Sequence, residues 1–401
     1  MRLTFWGVRG SVPSPGRDAW RYGGNTACVE IAAADGQLFI LDAGTGIRDL
    51  GQQLLAEFAS PGLKAHLFLT HYHWDHIQGL PFFEPLYFAG NTIHIFGPTP
   101  QGELPASLPG VLQMLFRAPF FPVSPKQLRA SYPLRELDWQ SDFTVGATRI
   151  RTCRVHHPQG ALAYRLDSRR ASLVYATDHE PGNPECDAAL RQLAAGADLL
   201  ISDAQYRPEE LGAQKSGWGH SSWQAAVDLA RDAGVKNLVL FHHQPSRTDR
   251  EIDQLLHAAR QAFPNTLAAA EGLRIDLAPR QVRVDTRVGR LSQRQPLRLP
   301  VQVETQQAGA LVRDQALLEN LSFQGAYFLS LQPYEVQQPV DLAVPLSPNG
   351  NGHGNGNGDP PAEAPELRLR GYVVRTDPQT TNGGWTGVAV LFPGSRGPNG
   401  P

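Results

Sequence analysis

Apolar and polar positions follow two different rhythms along this chain. Up to about residue 278, short apolar runs of strand length occur at 37–42, 66–70, 92–96, 172–177, 199–202 and 237–241. Segments of helical period lie between them, at 47–58, 188–195, 221–233 and 249–263. This alternation predicts α/β organisation with a core large enough for one domain of about 280 residues. Beyond Pro279 the helical periods nearly vanish and short β-rich runs take over, at 300–304, 310–312, 326–331, 340–344, 367–375 and 387–391. Turn residues separate these runs, as expected for a small antiparallel barrel of about 100 residues. Residues 349–361 read as a flexible Gly/Asn loop inside it, with His353 simply solvated. The boundaries that follow are a first domain over 1–278, a linker over 279–293, the barrel over 294–395 and a tail over 396–401.

Composition narrows this picture by exclusion. The 401 residues carry a formal net charge of −2, so no basic excess announces nucleic-acid binding. Three widely spaced cysteines, Cys28, Cys153 and Cys186, form neither a disulfide framework nor a CxxC metal site. The opening residues 1–7 lack the apolar core of a signal peptide, and no apolar run approaches the length of a membrane span. The expectation is a cytoplasmic protein without a membrane partner.

The chemistry is concentrated at the end of the run 65–70. There Thr70-His71-Tyr72-His73-Trp74-Asp75-His76 crowds four potential metal ligands together. In an extended segment residues i and i+2 share a side, so His71 and His73 can grip one ion. Asp75 and His76 lie past the turn and suit a second, with a helix opening near Ile77. Imidazole nitrogen mixed with carboxylate oxygen favours zinc, with manganese as the alternative. Three more strand-like runs end in ligand types, at Arg154-Val155-His156-His157, at Ala176-Thr177-Asp178-His179 and at Leu240-Phe241-His242-His243. Strand ends on one edge of an α/β core are where such folds collect their chemistry. A carboxylate at Asp178 has two oxygens, one for each of two ions.

His71-x-His73-x-Asp75-His76 resembles the signature of the metallo-β-lactamase superfamily, over residues 1 to about 278. The resemblance implies an αββα sandwich. Gly7-Val8-Arg9-Gly10-Ser11, Gly23-Gly24-Asn25-Thr26 and Leu41-Asp42-Ala43-Gly44-Thr45-Gly46 are similar to loops of its phosphodiesterase branch, which holds ribonuclease Z and related cyclic-phosphodiesterase hydrolases. It further implies His71, His73 and His157 on one divalent ion, Asp75, His76 and His242 on a second, and Asp178 bridging. His156 and His243 are the neighbours that compete for two of these places. Gly219-His220-Ser221-Ser222 resembles the family's His-Ser-Thr motif, which makes His220 the proton donor to the leaving group and Asp75 the base. The alternative is that Ser221 or Ser222 merely caps the following helix. Asp42 is the expected partner orienting a ligand histidine. Where ribonuclease Z carries His-Glu-Ala-Thr, this chain reads Asp203-Ala204-Gln205-Tyr206, and no basic arm is evident. Both departures argue against tRNA and towards a small phosphodiester or nucleotide substrate. A thioesterase of the glyoxalase II type, or a receptor that keeps the hydrolase fold as scaffold, stays open, as does a homodimer.

In the barrel, Arg294-Gln295-Pro296-Leu297-Arg298 precedes Asn320-Leu321-Ser322-Phe323-Gln324-Gly325. This pair of motifs resembles a PilZ domain. The resemblance implies a regulatory cyclic di-GMP site on Arg294, Arg298, Asn320, Ser322 and Gly325. Guanidinium groups suit that ligand because they fork onto phosphates and guanine edges.

Overall fold

The computed structural model describes residues 1–57, 62–100, 107–169, 171–212, 215–278, 281–285, 299–307, 310–321, 325–345, 366–378 and 386–391. It divides into two compact units, Met1–Ser292 and Gln293–Pro401.

The first unit contains two sheets. One runs in the order Gln281–Asp285, Arg274–Ala278, Arg2–Gly7, Cys28–Ala32, Leu38–Leu41, Lys64–Phe68, Thr92–Pro98, Leu134–Leu137. The other runs Thr266–Ala268, Leu238–Phe241, Leu199–Asp203, Ser172–Ala176, Ala161–Asp167, Thr148–Val155, Asp142–Val145. Within each sheet one half is parallel, and parallel neighbours need a crossover. Helix Gly46–Glu57 supplies one in the first sheet. Helices Pro184–Ala194, Trp223–Asp232 and Asp249–Ala262 supply three in the second. The last three begin at side-chain caps, where Asn183, Ser222 and Thr248 each accept an orphan backbone N–H.

The sheets face each other across Phe5, Val29, Phe39, Phe68, Tyr164, Leu173, Tyr175 and Phe241, all fully buried. Helices cover the outer faces: Ile47, Leu50 and Leu54 pack on the first sheet, and Leu190, Val227 and Ala259 on the second. The result is a helix–sheet–sheet–helix sandwich. Two tyrosines of the second sheet reach across it. Tyr164 donates to the Leu69 carbonyl at 2.6 Å, and Tyr175 to Asp42 at 2.9 Å. Both fix first-sheet loops that carry the site.

The elements depart from the sequence pattern in several places, among them helix Leu108–Leu115 and strands Leu134–Leu137, Asp142–Val145, Thr266–Ala268 and Arg274–Ala278, which the apolar runs did not predict. The short helix after His73 is Trp74–Ile77, ending where a helix was expected to begin, and a 3₁₀ turn at Leu80–Phe82 follows. Gln281–Asp285, read as linker, is the edge strand paired with Arg274–Ala278. The strands Arg2–Gly7 and Cys28–Ala32 escape the pattern because their inward residues are punctuated by residues that tertiary contacts cover, such as Thr4 and Cys28. Among the described residues no helix is long and apolar enough to cross a membrane.

The second unit is a closed antiparallel barrel in the order Leu299–Gln307, Ala310–Leu321, Gly325–Ser330, Thr386–Leu391, Glu366–Pro378, Pro339–Pro345. Val301, Val303, Leu318, Phe328, Val340, Leu342, Val373 and Val388 fill its interior. Closure removes exposed strand edges. Buried Asp314 takes bonds from the Ser330 hydroxyl at 2.6 Å and the Tyr334 hydroxyl at 2.8 Å. The run at 310–312 continues as strand through Leu321, so Asn320 pairs with Tyr327 on the ladder, and Gly325 pairs with Leu391. Arg294, Arg298, Ser322 and His353 lie outside the described residues.

Candidate metal centre

The parallel strands of both sheets end on one edge of the sandwich. Asp42 and Thr70 follow strands of the first sheet, and Asp178, Asp203 and His242 end or follow strands of the second. At Asp42, Asp178 and His242 the backbone turns sharply into the left-handed region, with φ of 61°, 56° and 58°. Such conformations are costly for non-glycine residues and concentrate at functional sites.

Five imidazoles converge here, and each has its outer nitrogen tied down. His71 Nδ1 meets the Thr70 hydroxyl at 3.0 Å, and His76 Nδ1 meets Asp42 at 2.8 Å. His157 Nδ1 donates to the Gly219 carbonyl at 2.9 Å, and His242 Nδ1 to Gln205 Oε1 at 2.8 Å. His73 is reversed, with Nε2 held by Gln159 Oε1 at 2.9 Å. A nitrogen fixed as donor leaves the other one as a lone pair aimed inward. Those lone pairs meet closely: His73 Nδ1 lies 3.0 Å from His157 Nε2, and His76 Nε2 lies 3.2 Å from His242 Nε2. His71 Nε2 is buried with no hydrogen-bond partner. Converging lone pairs and an orphaned buried nitrogen fit a cation. Burial pushes the His157 ring down to about 4 and the His71 ring well below its ordinary value, keeping both in the neutral form that ligates.

Among the described residues the candidate ligand atoms fall in four overlapping groups: His71/His73/His157, Asp75/His76/His242, His71/His76/Asp178 and Asp178/Asp203/His220/His242. Asp178 lies between the first two, the expected sets. Its Oδ1 is 4.0 Å from His71 Nε2 and 3.8 Å from His157 Nε2, while its Oδ2 is 3.3 Å from His76 Nε2 and 3.4 Å from His242 Nε2. Each carboxylate oxygen therefore faces one set. Asp75 Oδ2 accepts from the Ser11 backbone N–H at 2.6 Å and meets His242 Nε2 at 3.1 Å. Burial opposes its ionisation, but His76 and His242 hold its carboxyl well below the usual range. His156 and His243 stay outside. His156 Nδ1 donates to the Glu180 carbonyl at 2.9 Å, and His243 Nε2 donates to the Ala269 carbonyl at 2.9 Å.

His220 sits at the rim, its Nδ1 2.8 Å from Asp203 and 3.6 Å from Asp178. Burial lowers its proton affinity, but Asp203, Asp178 and Asp75 outweigh that and raise it to about 9. Ser222 caps the following helix, and Ser221 Oγ bonds the His179 carbonyl, so neither hydroxyl reaches the clusters. Gly219 holds a left-handed turn, φ +85°, and a Cβ there would lie 1.9 Å from His157 Nδ1. Both its conformation and its closeness require glycine.

The sequence pattern missed Asp203 as a working residue. It accepts from the backbone N–H groups of Asp178, Gln205 and Ser221 at 3.2, 3.0 and 3.1 Å, besides His220. Its signal was present, since it ends an apolar run as Asp42 and Asp178 nearly do. Gln159 and Gln205, which orient His73 and His242, carried no such signal.

Asp42 is fully buried and serves the Thr70 N–H and hydroxyl, His76 Nδ1 and the Tyr175 hydroxyl together. Asp42→Ala is expected to weaken metal binding by about 10–100-fold. Chelator competition on the purified variant measures this, and unchanged affinity with intact folding would refute the orienting role.

A fold of this kind with a His/Asp centre at its strand ends defines a metal-dependent hydrolase. A family model described as the beta-lactamase superfamily domain matches residues 38–243, just over half of the chain, and the chain belongs to that superfamily. A protein named ribonuclease Z from a Synechococcus species is 28% identical over 336 residues, covering 70% of this chain and 99% of its own. Among solved structures, zinc-bound PqqB from Methylobacterium extorquens has a TM-score of 0.51 at 17% identity, covering 69% of this chain and 100% of its own. A diphosphatase of the PhnP family has a TM-score of 0.50 at 20% identity, covering 69% of this chain and 99% of its own. The ribonuclease Z relatives overturn the expectation against tRNA as a partner. That expectation rested on the Asp203-Ala204-Gln205-Tyr206 stretch and a missing arm, yet Asp203 fills its place beside His220 without a glutamate.

Proposed function

We propose that the first unit hydrolyses phosphodiester bonds with two divalent ions, zinc foremost and manganese second, and that its substrates include RNA. In this reading His71, His73 and His157 would hold one ion and Asp75, His76 and His242 the other, with a carboxylate oxygen of Asp178 available to each. The observation that carries it is Asp178, whose two oxygens face opposite ligand sets at 3.3–4.0 Å. Bound ions supply Lewis acidity to a water and to the phosphoryl oxygens. The protein supplies the rest. Asp75, fixed by the Ser11 N–H, takes the proton of the attacking water. His220, charged and held through Nδ1 by Asp203, keeps Nε2 for the departing oxygen. The relatives named ribonuclease Z support RNA, and the chain spans almost their whole length.

The test is hydrolysis of bis(p-nitrophenyl) phosphate and of short RNAs, tRNA precursors included, by metal-loaded protein. Both should be cleaved, and chelator removal of the metal should abolish cleavage. Failure on every phosphodiester at full metal occupancy would sink the reading.

For the second unit, the PilZ resemblance makes cyclic di-GMP its ligand, bound by Arg294, Arg298, Asn320, Ser322 and Gly325. The closed antiparallel barrel is the architecture the resemblance implies, and it does not bear on the ligand. Titration calorimetry should give heat at ligand concentrations on the order of micromolar, lost in the Arg294→Ala/Arg298→Ala variant. A silent wild type rejects it.

A further inference from the structure

The metal clusters account for the histidines and carboxylates of this edge and leave two aromatic side chains beside them unexplained. Of the tryptophans whose exposure is described, only Trp74 and Trp218 are more than half exposed, at 66% and 56%. Trp74 stands between His73 and Asp75. Trp218 stands between Gly217 and Gly219. Close contacts join the two positions: His73 Nδ1 lies 3.0 Å from His157 Nε2, and His157 Nδ1 donates to the Gly219 carbonyl at 2.9 Å. Each tryptophan is thus the chain neighbour of a residue at the His73/His157 end of the centre, His73 for Trp74 and Gly219 for Trp218.

The presentation of Trp218 is built. Glu180 forks its carboxylate onto the two flanking backbone amides, Oε1 to Gly217 N at 2.8 Å and Oε2 to Gly219 N at 2.7 Å. Both glycines adopt left-handed conformations, φ +82° and +85°. The clamp fixes the loop on either side of Trp218 while the indole itself stays in solvent. An indole left in solvent next to a reaction centre offers a flat apolar face on which a planar group can stack. Beside a phosphodiester-cleaving centre, the flat groups that come within reach are nucleobases, and base–aromatic stacking is strong and tolerant of sequence.

We propose that Trp74 and Trp218 form a stacking platform for an unpaired nucleobase adjoining the scissile phosphodiester, with Glu180 as the positioning residue for Trp218. The inference rests on the phosphodiesterase reading and narrows its substrate class to diesters that carry at least one unstacked base. Alkyl and lipid phosphodiesters fall outside it.

The experiment compares hydrolysis of the dinucleotide ApA with its two analogues lacking one base, by metal-loaded wild type, Trp74→Ala, Trp218→Ala and Trp218→Phe. Wild type should prefer ApA over one analogue by about tenfold or more in kcat/KM, the scale of one stacked base. Each alanine variant should raise KM for ApA by a similar factor, leave kcat within about twofold, and lose the preference over the analogue. Trp218→Phe should recover most of it, and Glu180→Ala should mimic Trp218→Ala in KM. If wild type cleaves these diesters but the alanine variants keep its full preference for the base, the platform is overturned alone. If wild type at full metal occupancy cleaves none of them, the phosphodiesterase reading falls and the platform with it.

Discussion

Asp178→Ala is expected to reduce turnover of bis(p-nitrophenyl) phosphate by at least about a thousandfold. Metal polarisation contributes several kcal/mol to such reactions, and each 1.4 kcal/mol is tenfold. Among the described residues no other carboxylate is placed to replace it. Asp75 belongs to the His76/His242 side, and Asp203 is occupied by His220 and three backbone N–H groups. The left-handed backbone at Asp178 aims its side chain between the two ligand sets, and the Thr177 hydroxyl holds Oδ2 at 2.5 Å. Metal analysis should fall from about two ions per chain to one or fewer. Asp178→Asn should fail nearly as badly, since an amide nitrogen cannot ligate. A variant that keeps both ions and near-normal turnover would refute the bridging role.

His220→Ala should lose turnover by at least about a hundredfold while keeping its metal, as general-acid contributions are 10²–10⁴-fold. The second half of this result matters more. His220, Asp178, Asp203 and His242 also lie close enough together to hold an ion. A drop in bound metal would therefore make His220 a ligand and remove it from proton transfer. A donor role also predicts that the loss shrinks for substrates with good leaving groups, which need little protonation. Comparing p-nitrophenyl and alkyl diesters reads this directly, and equal losses on both would count against protonation by His220.

Both results depend on groups of different legibility. The ligands were readable because a metal site needs particular atoms, and six positions at 71–76 supply four of them. The strand ends at Asp178 and His242 were readable because apolar runs stop at polar residues there. Choosing His157 over His156 and His242 over His243 rested on the family resemblance and not on local periodicity. Neighbours in sequence differ only in where the backbone turns them, and the turns at His242 and Gly219 are set by contacts from distant segments. The orienting groups were the least legible. Gln159 and Gln205 are ordinary surface-type residues whose roles come from facing His73 and His242 across the fold.

The sequence by itself carried the α/β alternation of the first unit and the residue types of a candidate metal centre, because periodicity and ligand chemistry are local properties. The tertiary structure alone decided the rest. It closed Gln281–Asp285 onto the sheet as a strand, tied His243 and His156 to backbone carbonyls, gave Asp203 to His220, and left Trp74 and Trp218 in solvent. Each of these depends on what segments far apart in the chain place next to one another, which no stretch of sequence encodes alone.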